Sequence, residues 1–273
     1  MGKVSEIPMK IELWKNGLLP GITLINNTYS HHSFQPHFHD HYVVMMVNEG
    51  VNEGTCEKEK YQVTANDILF INPGEIHTGN SYQFRHLRYS AFYIDTDFFT
   101  QHLPGKRNCP PPVFSRLLEE KIDLVESMRE LFQCTRTIAE PFEIEEKKVT
   151  VFLEFMNYTV SKKRETVNNI SRVSVQKIKG FIQDQYKQQF SLATLTAYAG
   201  LSPYHLIRSF KQSIGITPFQ FLRNYRIEKA KQELLKKRTI TEVALEVGFY
   251  DQSHFHKHFK LVTGVTPREF QKL

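Results

Sequence analysis

The stretch that most constrains this chain is Ile240–Phe270, ITEVALEVGFYDQSHFHKHFKLVTGVTPREF, a helix–turn–helix in outline. Ile240, Val243, Ala244 and Val247 recur at spacings of three and four, which puts them on one face of a short helix that Gly248 ends. Asp251 then stands where a carboxylate accepts from an orphan amide of a new helix, so the second helix is expected to start at Gln252. Phe255, Phe259 and Val262 form its inner side. Gln252, Ser253, His256, Lys257 and Lys260 fall on the other side, a set of donors and cations suited to base edges and phosphates.

The pattern occurs twice. Leu192, Leu195, Thr196, Ala199, Gly200 and Leu201 precede Ile240, Val243, Ala244, Val247, Gly248 and Phe249 by 48 positions. Beyond the turn the offset is 49, pairing His205 with His254, Phe210-Lys211 with Phe259-Lys260, and Gly215–Pro218 with Gly264–Pro267. So many matches with one inserted residue indicate a duplicated helical unit. Between the copies, Pro218–Lys236 carries an apolar stripe of Phe221, Leu222, Tyr225, Ile227, Ala230, Leu234 and Leu235. Such a helix is about 28 Å long, close to the ~34 Å between successive major-groove faces of a duplex. It is long enough to set both copies on one side of DNA.

The paired units, the linking Arg226-Ile227-Glu228-Lys229-Ala230 and the segment GFYDQSHFHKHFKLVTGVTPREF resemble the AraC/XylS family of bacterial transcription regulators over the last hundred or so residues. The resemblance implies base contacts from Tyr204, Ile207 and Arg208 in the first recognition helix and from Gln252, Ser253, His256 and Lys257 in the second. His205, Gln212 and Lys260 complete the expected DNA-facing set. One departure is Thr196, where the family usually has a closely packed Ala, as Ala244 is in the second unit; the first unit is expected to be looser.

Charge agrees with a nucleic-acid partner. Residues 171–273 hold 17 Lys and Arg against 7 Asp and Glu, leaving 18 against 22 for the rest of the chain, so the basic excess lies on the duplicated half. At 273 residues and 40% hydrophobic, the chain is long and apolar enough for two domains with sizeable cores. No run approaches a membrane span, and the N-terminus lacks the pattern of a signal peptide. A cytoplasmic location is expected. Cys56, Cys109 and Cys134 are widely spaced, without a CxxC pair, and are expected to be inert thiols in a reducing compartment.

The first hundred residues have a different texture. Ile22–Ile25, Tyr42–Val47, Tyr61–Thr64, Asp67–Asn72 and Arg88–Ile94 are short β-prone runs divided by turn-like pieces, including Asn26-Asn27, Asn48–Gly50, Glu53-Gly54 and Pro73-Gly74. A small barrel or sandwich is expected. If Pro36–Tyr42 is a strand, alternation places His37, His39 and His41 on one face. That piece and Asn66–Asn80, with its NPGEIHTG core, resemble the two motifs of a cupin barrel and the sensor domain that often precedes an AraC-type DNA-binding half.

Metal-binding cupins use two histidines and a carboxylate of the first motif and a histidine of the second. Here His37, His39 and His77 match and the carboxylate is missing. Three readings stand: a ligand pocket lined by His37, His39, His77, Tyr89 and Tyr93, with Arg85 or Arg88 nearby; a metal on the three histidines; or histidines merely satisfied at a polar barrel end. No cofactor is expected, and no phosphate loop, GxSxG elbow or HExxH motif points to an enzyme.

From Val113 the period turns helical, with Phe114, Leu117, Leu118, Ile122, Val125, Met128 and Phe132 as one stripe and Ile144, Lys148, Phe152, Phe155 and Met156 as another. These helices are expected either to pair two subunits or to close on themselves. The expected architecture is therefore α+β in two domains: a cupin-like barrel over 1–110, a helical, dimerising segment over 111–160, a polar linker over 161–173, and an all-α half over 174–273. Its partners are expected to be double-stranded DNA, a small-molecule effector, a second copy of the chain and, for an activator, RNA polymerase, with no membrane.

Overall fold

The computed structural model describes residues 9–57, 59–98, 113–115, 117–136, 144, 147–148, 151–152, 154–155, 158–160 and 170–272. They form two compact units, one of residues 1–33, 39–75 and 79–163, the other of residues 164–273 with the short pieces 34–38 and 76–78. Among the described residues no helix is long and apolar enough to cross a membrane.

Strands are β1 (Lys10–Trp14), β2 (Ile22–Tyr29), β3 (Ser33–His37), β4 (Tyr42–Glu49), β5 (Asn52–Cys56), β6 (Glu59–Val63), β7 (Asp67–Ile71), β8 (His77–Ser81), β9 (Leu87–Ile94), β10 (Val113–Phe114), β11 (Leu118–Glu120) and β12 (Thr159–Val160). They make one sheet in the order β1-β2-β9-β4-β7-β11, another in the order β3-β8-β5-β6, and a β10-β12 ribbon. The antiparallel register of β4 on β9, with Val43 opposite Tyr93, Met45 opposite Ala91 and Val47 opposite Tyr89, sorts the large sheet's residues onto two faces. Leu24, Tyr42, Val44, Met46, Ile68, Phe70 and Phe92 lie on one of them. They are buried with Leu124, Val125, Met128, Leu131 and Phe132 of helix α1 (Ile122–Cys134) and with Val151, Phe152 and Phe155. The alternate residues turn toward the smaller sheet, so β4 is buried on both sides and reads as a continuous apolar run.

Several local expectations change. Asn26-Asn27 does not turn: β2 runs through it, and Asn27 is a buried inward residue opposite Tyr89. Glu53-Gly54 lies inside β5. The helix expected from Val113 starts only at Ile122, because Leu118–Glu120 pairs with β7 as an edge strand. Ile122 itself is half exposed. The strand carrying three histidines ends at His37, so His39 and His41 sit in the connection to β4. Of the expected linker, the residues from Ile170 are already helical. Cys109 lies outside the described residues; Cys56 and Cys134 are buried and in no disulfide.

The second unit is helical: α2 (Ile170–Gln185), α3 (Leu192–Ala199), α4 (Pro203–Ile214), α5 (Pro218–Leu235), α6 (Ile240–Glu246), α7 (Gln252–Thr263) and α8 (Pro267–Phe270). Their ends are set by local chemistry. Ser191, Ser202, Thr217, Thr239, Asp251 and Thr266 each cap a helix through a side-chain oxygen, and Pro occupies the first turn of α4, α5 and α8. Gly200, Gly215 and Gly264 close α3, α4 and α7 in the left-handed conformation.

Candidate functional site

In the first helix–turn–helix, Leu206 and Phe210 are the buried side of α4, and its other side is open. Tyr204 is 65% exposed, with His205, Ile207, Arg208, Lys211 and Gln212 on the same outer surface. Arg208 Nη1 donates to Tyr204 Oη at 3.2 Å, and its guanidinium lies 5.9 Å from that ring, so the two side chains form one presented group. A guanidinium held this way can make paired hydrogen bonds to a guanine edge.

In the second, Asp251 Oδ1 accepts from His254 N at 2.7 Å, which starts α7 at Gln252 as expected. Phe255, Phe259 and Val262 face inward, and Gln252, Ser253, His256, Lys257 and Lys260 are exposed. The Thr241 hydroxyl donates to Gln252 Oε1 at 2.6 Å, steadying that amide. His258 is half-buried. Burial, with Arg223, His254 and Lys257 nearby, pushes its imidazole down to about 4, so it is neutral at pH 7.

What holds α6 and α7 in place is a feature that the sequence does not announce. Arg226 of α5 is buried and donates through Nε to Tyr186 O at 2.7 Å and through Nη2 to Gln188 O at 2.8 Å. Gln189 Nε2 donates to Gly248 O at 2.7 Å. Gly248 has φ +92, and a methyl there would stand 2.8 Å from the Tyr186 and Lys187 carbonyl oxygens and 2.9 Å from Arg226 Cζ. The turn between the two helices is thus pinned to the chain just after α2 by a clamp that tolerates no side chain. The one signal in the sequence is an Arg next to the apolar stripe of α5, where Asn224 and Glu228 are buried as well.

The structure brings His37, His39 and His77 together, His37 and His77 in the short pieces 34–38 and 76–78 and His39 next to the first of them in sequence. All three are buried, and each offers a ring nitrogen within 4.8 Å of the others. His37 and His77 rings are 4.3 Å apart, and His37 Nδ1 donates to Gln35 O at 2.8 Å, which selects the tautomer with its lone pair on Nε2. Such a group has the donor set for a divalent transition metal. Tyr93 Oη is 3.5 Å from His39 Nε2. His41 instead faces Asp95, at 3.2 Å, outside the trio. Arg88 does not line the interior: its side chain is 55% exposed, 3.9 Å from Glu49. Arg85 is exposed as well.

Tyr89 points inward farther along β9, where its hydroxyl accepts from Asn27 Nδ2 at 3.0 Å. Burial pushes the Tyr89 phenol up to about 12 and raises those of Tyr29 and Tyr61 as well, so all three are neutral hydrogen-bonding groups at pH 7. Asn27, Tyr29, Asn52, Tyr61 and Ser81 are not legible as site residues in the sequence. Polar residues on a strand look like turn formers or outward positions until the opposing sheet is known.

A β unit with an inward polar face and a basic unit with two outward recognition helices define a two-part regulator, one part for a small molecule and one for DNA. Residues 19–149 match the AraC-like ligand binding domain family, and residues 195–273 match the helix-turn-helix domain family. The HTH-type transcriptional regulator YbfI of Bacillus subtilis is 28% identical over 229 residues, 81% of each chain. The HTH-type transcriptional activator RhaS of an Enterobacter species is 22% identical over 252 residues, 88% of each chain. ToxT of Vibrio cholerae, in a structure with unsaturated fatty acid bound, shares the fold with TM-score 0.58 and 16% identity over 91% of this chain and 94% of its own. The chain belongs to the AraC family of ligand-responsive, DNA-binding transcription regulators.

Proposed function

We propose that the chain acts in the cytoplasm as a homodimeric regulator rather than as an enzyme, holding its effector between the two sheets and reading two adjacent major-groove segments. The observation that carries this is the pair of capped recognition helices, α4 and α7, whose polar sides are open while their apolar sides are consumed by the core. Tyr204, His205, Ile207, Arg208 and Gln212 face one groove segment, and Gln252, Ser253, His256 and Lys257 face the next, with Lys260 on a phosphate beside it. His37, His39, His77, Tyr89 and Tyr93 contact the effector. The apolar side of α1 already packs on its own sheet, so a second subunit meets its other side. Where the regulator activates, it contacts RNA polymerase.

An effector acts only through a difference in affinity between conformations. Footprinting on sequences selected from a random pool is expected to show two protected major-groove patches about one helical turn apart. Arg208→Ala relaxes the first patch and His256→Ala the second. A single patch, or effector affinity equal for free and DNA-bound protein, overturns the reading.

The three clustered histidines favour a second reading, in which the sensed species is a divalent metal. Zinc, iron, nickel and copper measured on chelator-free protein distinguish the two, since metal near one per chain supports the second.

A further inference from the structure

The two recognition helices present different chemistry at the same positions. With the offset of 49, Tyr204, Ile207 and Arg208 of α4 correspond to Ser253, His256 and Lys257 of α7. All six are exposed. Where the first copy carries an aromatic ring, a branched aliphatic chain and a guanidinium, the second carries a hydroxyl, an imidazole and an ammonium. Leu206 and Phe210 fill the core behind α4, while Ile207 keeps 37% of its surface accessible. In α7 the exposed large apolar side chain is Leu261, in the last turn. A helix that reads bases with its N-terminal residues carries that end away from them.

A lone exposed isoleucine is ordinary on a protein surface. This one stands in the second turn of a recognition helix, next to a cation, and its counterpart in the other copy is polar. Of the groups on base edges in the major groove, the apolar one is the C5-methyl of thymine. Pressed against a guanine or adenine edge, Ile207 would strip water from polar atoms and return no hydrogen bond. Against a thymine methyl it gains by burial.

Arg208 fixes where that thymine lies. Its Nη1 donates to Tyr204 Oη and its guanidinium rests by the Tyr204 ring, so the fork is oriented before it meets DNA, and guanine O6 and N7 match it. Consecutive Cα atoms are about 3.8 Å apart and successive nucleotides about 3.4 Å, so neighbouring residues of the helix meet neighbouring base pairs. Lys257 lacks the fork, and His256 beside it lacks the aliphatic surface.

We propose that the first recognition helix requires a thymine methyl in the base pair next to a guanine, sensed by Ile207 beside Arg208, and that the second recognition helix senses no methyl. The proposal rests on the groove-reading function above and names the chemistry of its first half-site.

The test uses the full chain and a duplex that it selects from a random pool. The first patch is the one that Arg208→Ala relaxes. Thymines of both protected patches are replaced in turn by uracil, which removes the methyl and keeps the hydrogen-bonding edge, and binding is followed by fluorescence anisotropy. In the first patch, uracil for the thymine beside the guanine weakens binding about fourfold, the worth of one buried methyl. Thymines of the second patch tolerate uracil. Ile207→Ala binds the thymine and uracil duplexes alike with an unchanged Tm, and Ile207→Val keeps most of the discrimination.

A selected first patch with no thymine beside its guanine overturns the proposal and leaves the groove reading intact, as does indifference to uracil throughout. A uracil effect that Ile207→Ala retains also overturns it, since the methyl then acts through duplex shape or another side chain. Uracil sensitivity in the second patch overturns the assignment to the first helix. Failure to protect two patches overturns the groove reading and the proposal with it.

Discussion

The two helix–turn–helix units are copies in sequence and unequal in packing. At paired positions, Ala244, Val247 and Phe249 of the second are buried, and Thr196, Ala199 and Leu201 of the first are only partly so. Both turn glycines are left-handed, yet a methyl on Gly200 meets open space and one on Gly248 meets two carbonyl oxygens and the Arg226 guanidinium. The residue inserted between the copies is Tyr250, which lies in the second turn and is 84% exposed. A duplicated pattern therefore fixes where helices start and stop, but how firmly a recognition helix is held depends on what the rest of the fold places behind it.

The largest test of that inequality is the glycine pair. Gly248→Ala is expected to cost about 3 kcal/mol, from a left-handed alanine and displaced carbonyls, against about 1 kcal/mol for Gly200→Ala. Urea unfolding of the two variants reads the difference, and equal losses would mean that the clamp around Gly248 contributes nothing. Next comes the swap at the helix contact. Ala244→Thr overfills a position with no exposed surface and should lose about 2 kcal/mol. Thr196→Ala removes a hydroxyl that only bonds back to Ala193 O at 2.9 Å and should change stability by about 0.5 kcal/mol or less.

A looser unit can still read bases. Arg208→Ala in the first unit should cost about 1–3 kcal/mol at a single base position and relax specificity there. Uniform weakening on every sequence, measured by binding to a variant library, would make Arg208 a phosphate contact.

The inequality also sets what the sequence could reveal. Helix limits are legible because caps are local: Asp251 and Gly264 announce α7 without help from the rest of the chain. The β unit is legible as β but not in its interior, because Asn27, Asn52 and Ser81 acquire meaning only when one sheet faces another. Leu118–Glu120 fits a helical stripe as well as a strand, and only pairing with β7 decides. Arg226 can be seen, but not the carbonyls that it holds.

Acid should separate the units further. His258 has no titrating counterpart, since the paired position is Ser209. Its folded value is held near 4, below the ordinary 6.5, so the stability it contributes is complete above pH 6.5 and is lost as pH falls toward 4. At this half-exposed site the loss is about 1 kcal/mol after allowing for solvent screening. His258→Asn should flatten that part of the stability–pH curve, and an unchanged slope would show that the imidazole titrates normally.

The smallest effect is expected at matched cations. Lys211 and Lys260 hold the same place in the two repeats, in the last turn of α4 and of α7, and both are exposed. On the proposed reading each meets a phosphate rather than a base. Replacing either by Ala should therefore weaken binding evenly across sequences and lower the salt slope by about 0.9 for each phosphate no longer neutralised. If the firmly held second helix approaches the duplex more closely, Lys260→Ala lowers the slope by the full amount and Lys211→Ala by less. Equal decrements in salt titrations on one operator would show that looser packing behind the first helix does not reach the phosphates it meets. That outcome would confine the inequality of the two units to stability alone.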